Sequence, residues 1–333
     1  MQNSLLSKNV VAGGKKMIPY AILLIGFLII PAFTGNLYWL GVCIIIMYRM
    51  IGSAGLRTIF LSGYVSFAQG AFVALGAYCA GVLAKYFGLP PVVTILAGAV
   101  FATVVSVLIG LPFVRLRGTY YSMASMFFCV AIVNFIQIFK FTGSSRGLFM
   151  IPPLAGNITS TYYIFLALTV VSLAAMYRFE ASRIGITLRA IAQSHDVASS
   201  IGINETFYRL LAIGFGSFFA GLAGAAFALY QTILSPMNYG MGFSIWFIMY
   251  MFIGGEQKFL GPLIGTIIFV LLPEIGRGIG AYAPYLSAAA LLLVAYVFPG
   301  GITGLPELIK DRRMKRSGLN ASRPGGGGSN GDT

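Results

Sequence analysis

Long, uninterrupted runs of apolar residues are the feature of this sequence that most restricts its fold. Ten such runs are present, and a helix that spans a bilayer needs about 20 apolar residues. Because the runs do not alternate polar with apolar residues, they disfavour a transmembrane β-barrel. The sequence predicts an all-α integral membrane protein, a polytopic bundle of about ten transmembrane helices. The predicted spans lie at about residues 17–34, 37–51, 66–86, 91–112, 119–140, 160–178, 208–231, 242–255, 261–280 and 283–299.

The segment near residues 52–69 interrupts this pattern. It is apolar but contains Gly52, Gly55, Gly63 and Arg57, a mixture that a smooth spanning helix does not need. Non-helical backbone at membrane depth is tolerated only where protein buries it or where it lines a cavity. The sequence therefore predicts a broken or re-entrant segment here.

The composition excludes several other classes of protein. Charged residues make up 9% of the chain, whereas a soluble domain has about 25%. Hydrophobic residues make up 58%, which is more apolar surface than a water-soluble globule can bury. These values exclude a soluble enzyme, a disordered chain and a nucleic-acid-binding domain.

The distribution of basic residues predicts the orientation of the chain. The formal net charge is +14, from 22 Lys and Arg against 8 Asp and Glu. With the N-terminus in the cytoplasm and alternating spans, 18 of the 22 basic residues fall on the cytoplasmic side. Since cytoplasmic loops are enriched in Lys and Arg, we expect both termini to be cytoplasmic.

Three segments follow from this topology. Residues 1–16 form a cytoplasmic N-terminal segment, and residues 17–304 form the transmembrane domain. Residues 305–333 form a basic cytoplasmic tail that ends in a Gly- and Ser-rich stretch, which we expect to be disordered.

The sequence contains no pattern of residues that supports chemistry in this chain. It has no GxxxxGK[ST] phosphate-binding loop and no GxSxG nucleophile motif. His195 is the single histidine, and the three cysteines lie inside apolar runs, so no spacing typical of a metal site is present. We expect no catalytic residue, no metal site and no cofactor.

Uncharged polar residues within or beside the spans are candidates for the translocation pathway. Each costs free energy when it faces lipid, so each should face the bundle interior or a passage. Hydrogen bonding between helices is an alternative role for all of them. The candidates are Tyr64, Ser66, Gln69, Asn134 and Gln137.

Several motifs resemble those of one transporter family. The runs GLRTIFLSGYVSFAQGAFVALGAY (55–78), RLRGTYYSMAS (115–125) and SRIGITLRAIAQSHDVASSIGIN (182–204) are similar to segments of LivM-type branched-chain amino acid ABC transporter permeases (LivH/LivM). Further matches follow in the same order, and the resemblance covers about residues 20–305. Arg57 departs from the family pattern, which has Asn there, and Arg49 is also unexpected.

The resemblance implies a permease subunit of an ABC importer in the bacterial inner membrane. Such a subunit would translocate branched-chain or related amino acids by alternating access. Its implied partners are a second related permease subunit, two cytoplasmic subunits that bind ATP and Mg, and a periplasmic solute-binding protein. No nucleic acid is implied.

The resemblance also gives a role to residues 179–207, here termed the coupling loop. Short helices in this loop would dock into a groove on the ATPase, and the apolar stretch ASSIGI provides a patch that needs a partner. Packing of the loop on its own helices is the alternative. The residues implied in coupling are Arg189, Ala190, Asp196, Ala198 and Gly202.

An ion-coupled secondary transporter or channel for a small polar solute is the alternative function. It would move its solute without a partner, driven by a proton or sodium gradient. A proton relay needs buried acids in series, and the predicted spans contain almost none.

Overall fold

The computed structural model describes residues 26–28, 36–116, 118–276, 288 and 301. In these residues every regular element is a helix, apart from one isolated β-bridge between Leu148 and Leu234. The all-α class is therefore confirmed. The predicted segments 1–16 and 305–333 lie outside the described residues, as does nearly all of the first and last predicted spans.

Ten α-helices within the described residues are numbered here in chain order. They are α1 Leu37–Phe60, α2 Gln69–Phe87, α3 Pro91–Phe113, α4 Thr119–Ile138, α5 Ile158–Ala181, α6 Arg183–Gln193, α7 His195–Ser200, α8 Glu205–Gln231, α9 Met241–Gly254 and α10 Leu260–Gly276. Short 3-10 helices lie in the connections after α4 and α8, at Lys140–Thr142, Ser144–Arg146 and Pro236–Tyr239.

Six of the described helices, α1 to α5 and α8, are long and apolar enough to cross a membrane. They correspond to the second to seventh predicted spans. Helices α9 and α10 match the eighth and ninth spans, but they are shorter, with 14 and 17 residues. The structure thus confirms a polytopic helical membrane protein, and the count of ten spans stays a prediction.

The predicted break near residues 52–69 is wrong over its first half. Helix α1 continues to Phe60, and only residues 61–68 leave helical geometry. The glycines mark close contacts between helices, since a Cβ atom on Gly55 would lie 2.8 Å from the carbonyl oxygen of Gly216. Neighbouring helices pack closely against α1 at these glycines, and α1 keeps its helical geometry there. The non-helical residues are termed the 61–68 turn below.

Helix α8 packs against α1, α2 and α3 through small residues. A Cβ atom on Gly76 would lie 2.1 Å from the carbonyl oxygen of Gly221. A Cβ atom on Gly224 would lie 2.1 Å from the carbonyl oxygen of Val73. Both distances are far below van der Waals contact, so only glycine permits these helix backbones to touch.

Replacing one of these glycines should therefore destabilise the bundle. We expect Gly76→Ala to lower the free energy of unfolding by about 1–3 kcal/mol, because the backbone of α8 must move away. The matched control is Gly242→Ala in α9, where an added Cβ atom meets nothing within 4 Å. Thermal unfolding of the two purified variants in the same detergent measures the difference, and equal midpoints would contradict the packing argument.

Candidate functional site

The coupling loop folds into two short helices, as the resemblance implied. Helix α5 ends at Ala181, α6 begins at Arg183, and the Ser194 side chain accepts a hydrogen bond from the amide of Val197 at the start of α7. The side chain of Asn204 caps α8 in the same way. Serine and asparagine at these positions satisfy backbone N–H groups that the first turn of a helix leaves without partners.

One face of α6 packs on the bundle. Its buried residues are Gly185, Leu188 and Ile191. Gly185 is needed because a Cβ atom there would lie 2.2 Å from the carbonyl oxygen of Glu180. Below this face, Phe179 of α5 and Phe215 of α8 stack with ring centroids 4.2 Å apart. The loop is thus fixed to α5 and α8 by apolar contact.

Two arginines share the buried carboxylate of Glu180. Arg57 of α1 donates from Nη2 to Oε1 at 2.8 Å and from Nε to Oε2 at 3.1 Å. Arg189 of α6 donates from Nη2 to Oε1 at 2.6 Å. These three residues are termed the Glu180 cluster. The side chain of Arg57 is 2% exposed, whereas that of Arg189 is 47% exposed.

Arg57 also reaches the connection between α9 and α10. Its guanidinium donates to the backbone carbonyl oxygens of Glu256 and Gln257. The Glu180 cluster therefore ties together α1, α5, α6 and the α9–α10 connection at one end of the bundle. This end carries the coupling loop and is termed the loop end.

A second charged cluster lies at the start of α8. The carboxylate of Glu205 accepts from Arg209 Nη2 at 3.1 Å and lies 3.0 Å from Nδ1 of His195. The guanidinium carbon of Arg209 lies 4.3 Å from the ring centroid of Tyr64, in cation–π geometry. Tyr64, His195, Glu205 and Arg209 are termed the Glu205 cluster. The ring of Tyr64 also stacks on Tyr121 of α4 at 4.8 Å.

The coupling loop and the 61–68 turn are therefore in direct contact. Gly63 adopts a left-handed backbone conformation, with φ of +84°, and a Cβ atom there would lie 3.1 Å from Cβ of Ala192 in α6. The Glu205 cluster adds a second contact, between His195 of α7 and the ring of Tyr64, with centroids 6.2 Å apart. This arrangement can transmit a displacement of α6 and α7 to the non-helical turn in the bundle.

The surface of the coupling loop exposes large hydrophobic residues among polar ones. Ile186, Val197 and Ile201 are large hydrophobic residues that are each more than 60% exposed. Of the apolar residues of ASSIGI, Ile201 is exposed and Ala198 is buried, so part of this stretch packs on the chain and part faces outward. Ile186, Val197 and Ile201 are termed the outer patch.

The structure places the five predicted coupling residues in different settings. Arg189 belongs to the Glu180 cluster, and Ala198 is buried. Ala190 and Asp196 are exposed on α6 and α7. Gly202 is exposed, and its φ of +79° favours glycine. Arg189 therefore connects the loop to the bundle, whereas Ala190, Asp196 and Gly202 lie on the exposed surface of the loop.

The five candidate pathway residues do not come together. Tyr64, Ser66 and Gln69 are buried in or beside the 61–68 turn. Asn134 is exposed and Gln137 is partly exposed on the surface of α4. The nearest polar contact of Gln137 is the sulfur of a methionine in the connection after α8. A single passage through this chain is therefore not lined by all five.

Polar side chains near the 61–68 turn form hydrogen bonds with its backbone and with the adjacent helix. The amide of Phe67 donates to Ser125 Oγ at 2.9 Å, and Ser122 Oγ donates to the carbonyl oxygen of Val65 at 2.8 Å. Gln69 Nε2 donates to a carbonyl oxygen of α1 at 2.6 Å. Buried backbone groups outside a helix need such partners, because water is absent there.

Sequence reasoning missed the Glu180 and Glu205 clusters. Glu180 and Arg57 lie 123 positions apart, so no local pattern joins them. The departure of Arg57 from the family pattern was the available signal, because an arginine inside an apolar helix requires a carboxylate or several carbonyl oxygens. Arg209 carried a similar signal at the start of α8.

The fold and the site define a polytopic helical membrane protein with an exposed loop coupled to its bundle. Residues 38–298 match the family described as "Branched-chain amino acid transport system / permease component", and the chain belongs to this family. The "High-affinity branched-chain amino acid transport system permease protein LivM" is 23% identical in Salmonella typhimurium and 24% in Escherichia coli, over 77% of this chain and 68% of each relative. The "Probable branched-chain amino acid transport permease protein LivH" of Methanocaldococcus jannaschii is 24% identical, over 72% of this chain and 83% of the relative.

The two arginines of the Glu180 cluster should differ in their contribution to stability. Arg57→Gln leaves the cluster without its buried cation, and we expect it to destabilise the protein by about 3–5 kcal/mol. Arg189→Gln removes an exposed partner of the same carboxylate, and we expect it to cost less than about 1 kcal/mol. Thermal unfolding in detergent compares the variants, and a larger effect at Arg189 would contradict the assignment of Arg57 as the structural partner.

Proposed function

We propose that this chain is the membrane-spanning permease subunit of a bacterial ABC importer for branched-chain or related amino acids. The match of residues 38–298 to the permease family carries the proposal, and the names of the relatives support the solute class. Transport would proceed by alternating access across the inner membrane. The chain itself would catalyse no covalent reaction, since ATP and Mg would be bound by partner subunits.

The proposed partners are a second related permease subunit, two cytoplasmic ATP-binding subunits and a periplasmic solute-binding protein. The outer patch supports the contact with an ATP-binding subunit, because exposed isoleucine and valine next to polar residues are typical of a protein interface. The loop end would face the cytoplasm, together with both termini. Its many arginines support this orientation, since Lys and Arg are enriched on the cytoplasmic side.

Movement of the ATP-binding subunits would reach the bundle by two routes. The Glu180 cluster would pull on α1 and on the α9–α10 connection, because charge-assisted hydrogen bonds join them to α6. The Glu205 cluster would move the 61–68 turn through the cation–π contact between Arg209 and Tyr64. Through the contacts of these two clusters, a displacement of the coupling loop would shift packed helices between two discrete arrangements, as alternating access requires.

Uptake into proteoliposomes tests the proposed class of transporter. The chain should take up leucine only when it is reconstituted with its second permease subunit, its ATP-binding subunits, the binding protein and ATP. Uptake by this chain alone under a proton or sodium gradient would overturn the proposal and favour the ion-coupled alternative.

A charge in the outer patch should separate this chain from its ATP-binding subunits. We expect Ile201→Arg to reduce co-purification of those subunits and ATP-driven uptake by about tenfold or more, the effect of losing an interface contact of about 2 kcal/mol. Ile201 is 69% exposed, so the folded chain should tolerate the change. The control is Met150→Arg, an 88% exposed position in the connection after α4, which should leave co-purification unchanged.

The ring of Tyr64 should be required for coupling, and its hydroxyl group should not. Within the described residues that hydroxyl has no hydrogen-bond partner. We expect Tyr64→Phe to retain uptake, whereas Tyr64→Leu removes a desolvated cation–π contact worth about 2 kcal/mol. Tyr64→Leu should then hydrolyse ATP without the stimulation that the solute-loaded binding protein gives the unmodified importer. Equal behaviour of the two variants would remove the Glu205 cluster from the coupling route.

A further inference from the structure

Arg49 places a positive charge near the middle of a membrane-spanning helix. It lies 12 residues after Leu37 and 11 residues before Phe60, the two ends of α1. With a rise of 1.5 Å per residue, its Cα atom is about 18 Å from one end and about 16 Å from the other. A charged side chain at this depth is costly, and in membrane proteins such residues mark functional sites.

The partners of Arg49 within the described residues are aromatic. Its Nη1 donates to the hydroxyl of Tyr250 at 2.9 Å, and its Nε donates to the hydroxyl of Tyr48 at 3.2 Å. The guanidinium carbon lies 5.0 Å from the ring centroid of Trp246. Hydroxyl groups and aromatic faces hold a cation in place, but they do not neutralise its charge.

No carboxylate of the described residues pairs with Arg49. It has eight acidic residues, and the first of them in sequence is Glu180. Among the described residues, the carboxylates of Glu180 and Glu205 pair with other cations, and none forms an ion pair with Arg49. Residues 277–306 contain no acid in the sequence, so the last predicted span provides none. Arg49 therefore differs from Arg57, whose charge is met by Glu180.

The guanidinium still has hydrogen-bond donors to offer. It carries five N–H groups, of which two are used by the tyrosines. Arg49 is partly exposed and Trp246 is 43% exposed, which leaves the remaining guanidinium N–H groups open at the surface of the described bundle. Tyr48 and Tyr250 are 2% and 1% exposed, so they hold the guanidinium from the buried side. Such a set of donors matches a carboxylate, which arginine binds in a bidentate manner.

We propose that Arg49, held in place by the hydroxyls of Tyr48 and Tyr250, binds the carboxylate group of the amino acid during its passage through the membrane. This inference rests on the proposed function, because it assigns the anionic group of the proposed solute. The solute carboxylate neutralises Arg49 in transit, and Trp246 covers the ion pair from one side. The apolar side chain of the solute then lies against the aromatic rings of α9.

The two tryptophans of the chain make this site observable. Trp39 and Trp246 are the only indoles in the sequence, so Trp39→Phe leaves Trp246 as the single reporter beside Arg49. The full-length Trp39→Phe chain, assembled with its partner subunits in lipid nanodiscs, is titrated with leucine and with leucinamide, which lacks the carboxylate. The same assembly carrying Trp39→Phe and Trp246→Phe together serves as the blank, so the difference between the two titrations reports Trp246 and not the tryptophans of other subunits. We expect a saturable change in Trp246 fluorescence with leucine and none with leucinamide.

Variants of Arg49 complete the test. Arg49→Gln should abolish the leucine response, and Arg49→Lys should weaken apparent binding about tenfold, because a charge remains without the bidentate geometry. Uptake of leucine by the assembled importer should fall in the same order, while co-purification of all subunits stays unchanged. A response to leucinamide equal to that of leucine, or an unchanged response in Arg49→Gln, would overturn the site.

The outcomes also separate this site from the proposed function. Loss of subunit assembly in Arg49→Gln would show that Arg49 pairs with a carboxylate of the second permease subunit, which would overturn the solute site alone. ATP-driven leucine uptake by the unmodified importer, with a fluorescence of Trp246 that leucine does not change, would do the same. Absence of ATP-driven uptake in the unmodified importer would instead refute the proposed function.

Discussion

The buried carboxylate of Glu180 is the interaction on which the loop end of the bundle depends. Separation of a buried carboxylate from its cation costs several kcal/mol, because neither charge can be rehydrated in the apolar interior. Arg57 and Arg189 approach this carboxylate from helices far apart in the sequence. As a result, the end of α5 cannot move away from α1 without breaking the buried pair of Arg57 and Glu180. Helix α6 is joined to the same carboxylate by the half-exposed Arg189 and to the bundle by its apolar face.

The interior of the bundle is held by a different force. Helices α1, α2, α3 and α8 meet backbone to backbone through small residues, which gives dense packing and little free space. Next to the 61–68 turn, the space bounded by Ala68, Tyr121 and Ser125 has a volume of about 10 Å³, at the lower limit for one water molecule. This space is too small for a solute in this conformation, and any opening there requires helices to move. Ser122 and Ser125 form hydrogen bonds with the backbone of the turn, whereas Gln69 bonds a carbonyl oxygen of α1.

The sequence predicted the helices well because their signals are local. Pro91 begins α3 at the predicted position, and Gly240 and Gly255 flank α9 within one residue of the predicted span. The break after α1 was misplaced because glycine weakens a helix and also permits helices to touch, and a single sequence does not separate these two effects. The charged clusters were missed because their members meet only after folding.

Arg49 and Arg57 occupy the same helix, two turns apart, and their surroundings within the described residues differ. Arg57 lies near the end of α1, where Glu180 and the carbonyl oxygens of the α9–α10 connection satisfy both its charge and its donors. Arg49 lies deeper, where the described chain offers only two hydroxyls and aromatic rings. The described residues therefore neutralise Arg57 with a carboxylate and supply none to Arg49. In the proposed transport cycle, the carboxylate of the solute would offset the cost of placing this charge at membrane depth, which is why the position suits a binding site.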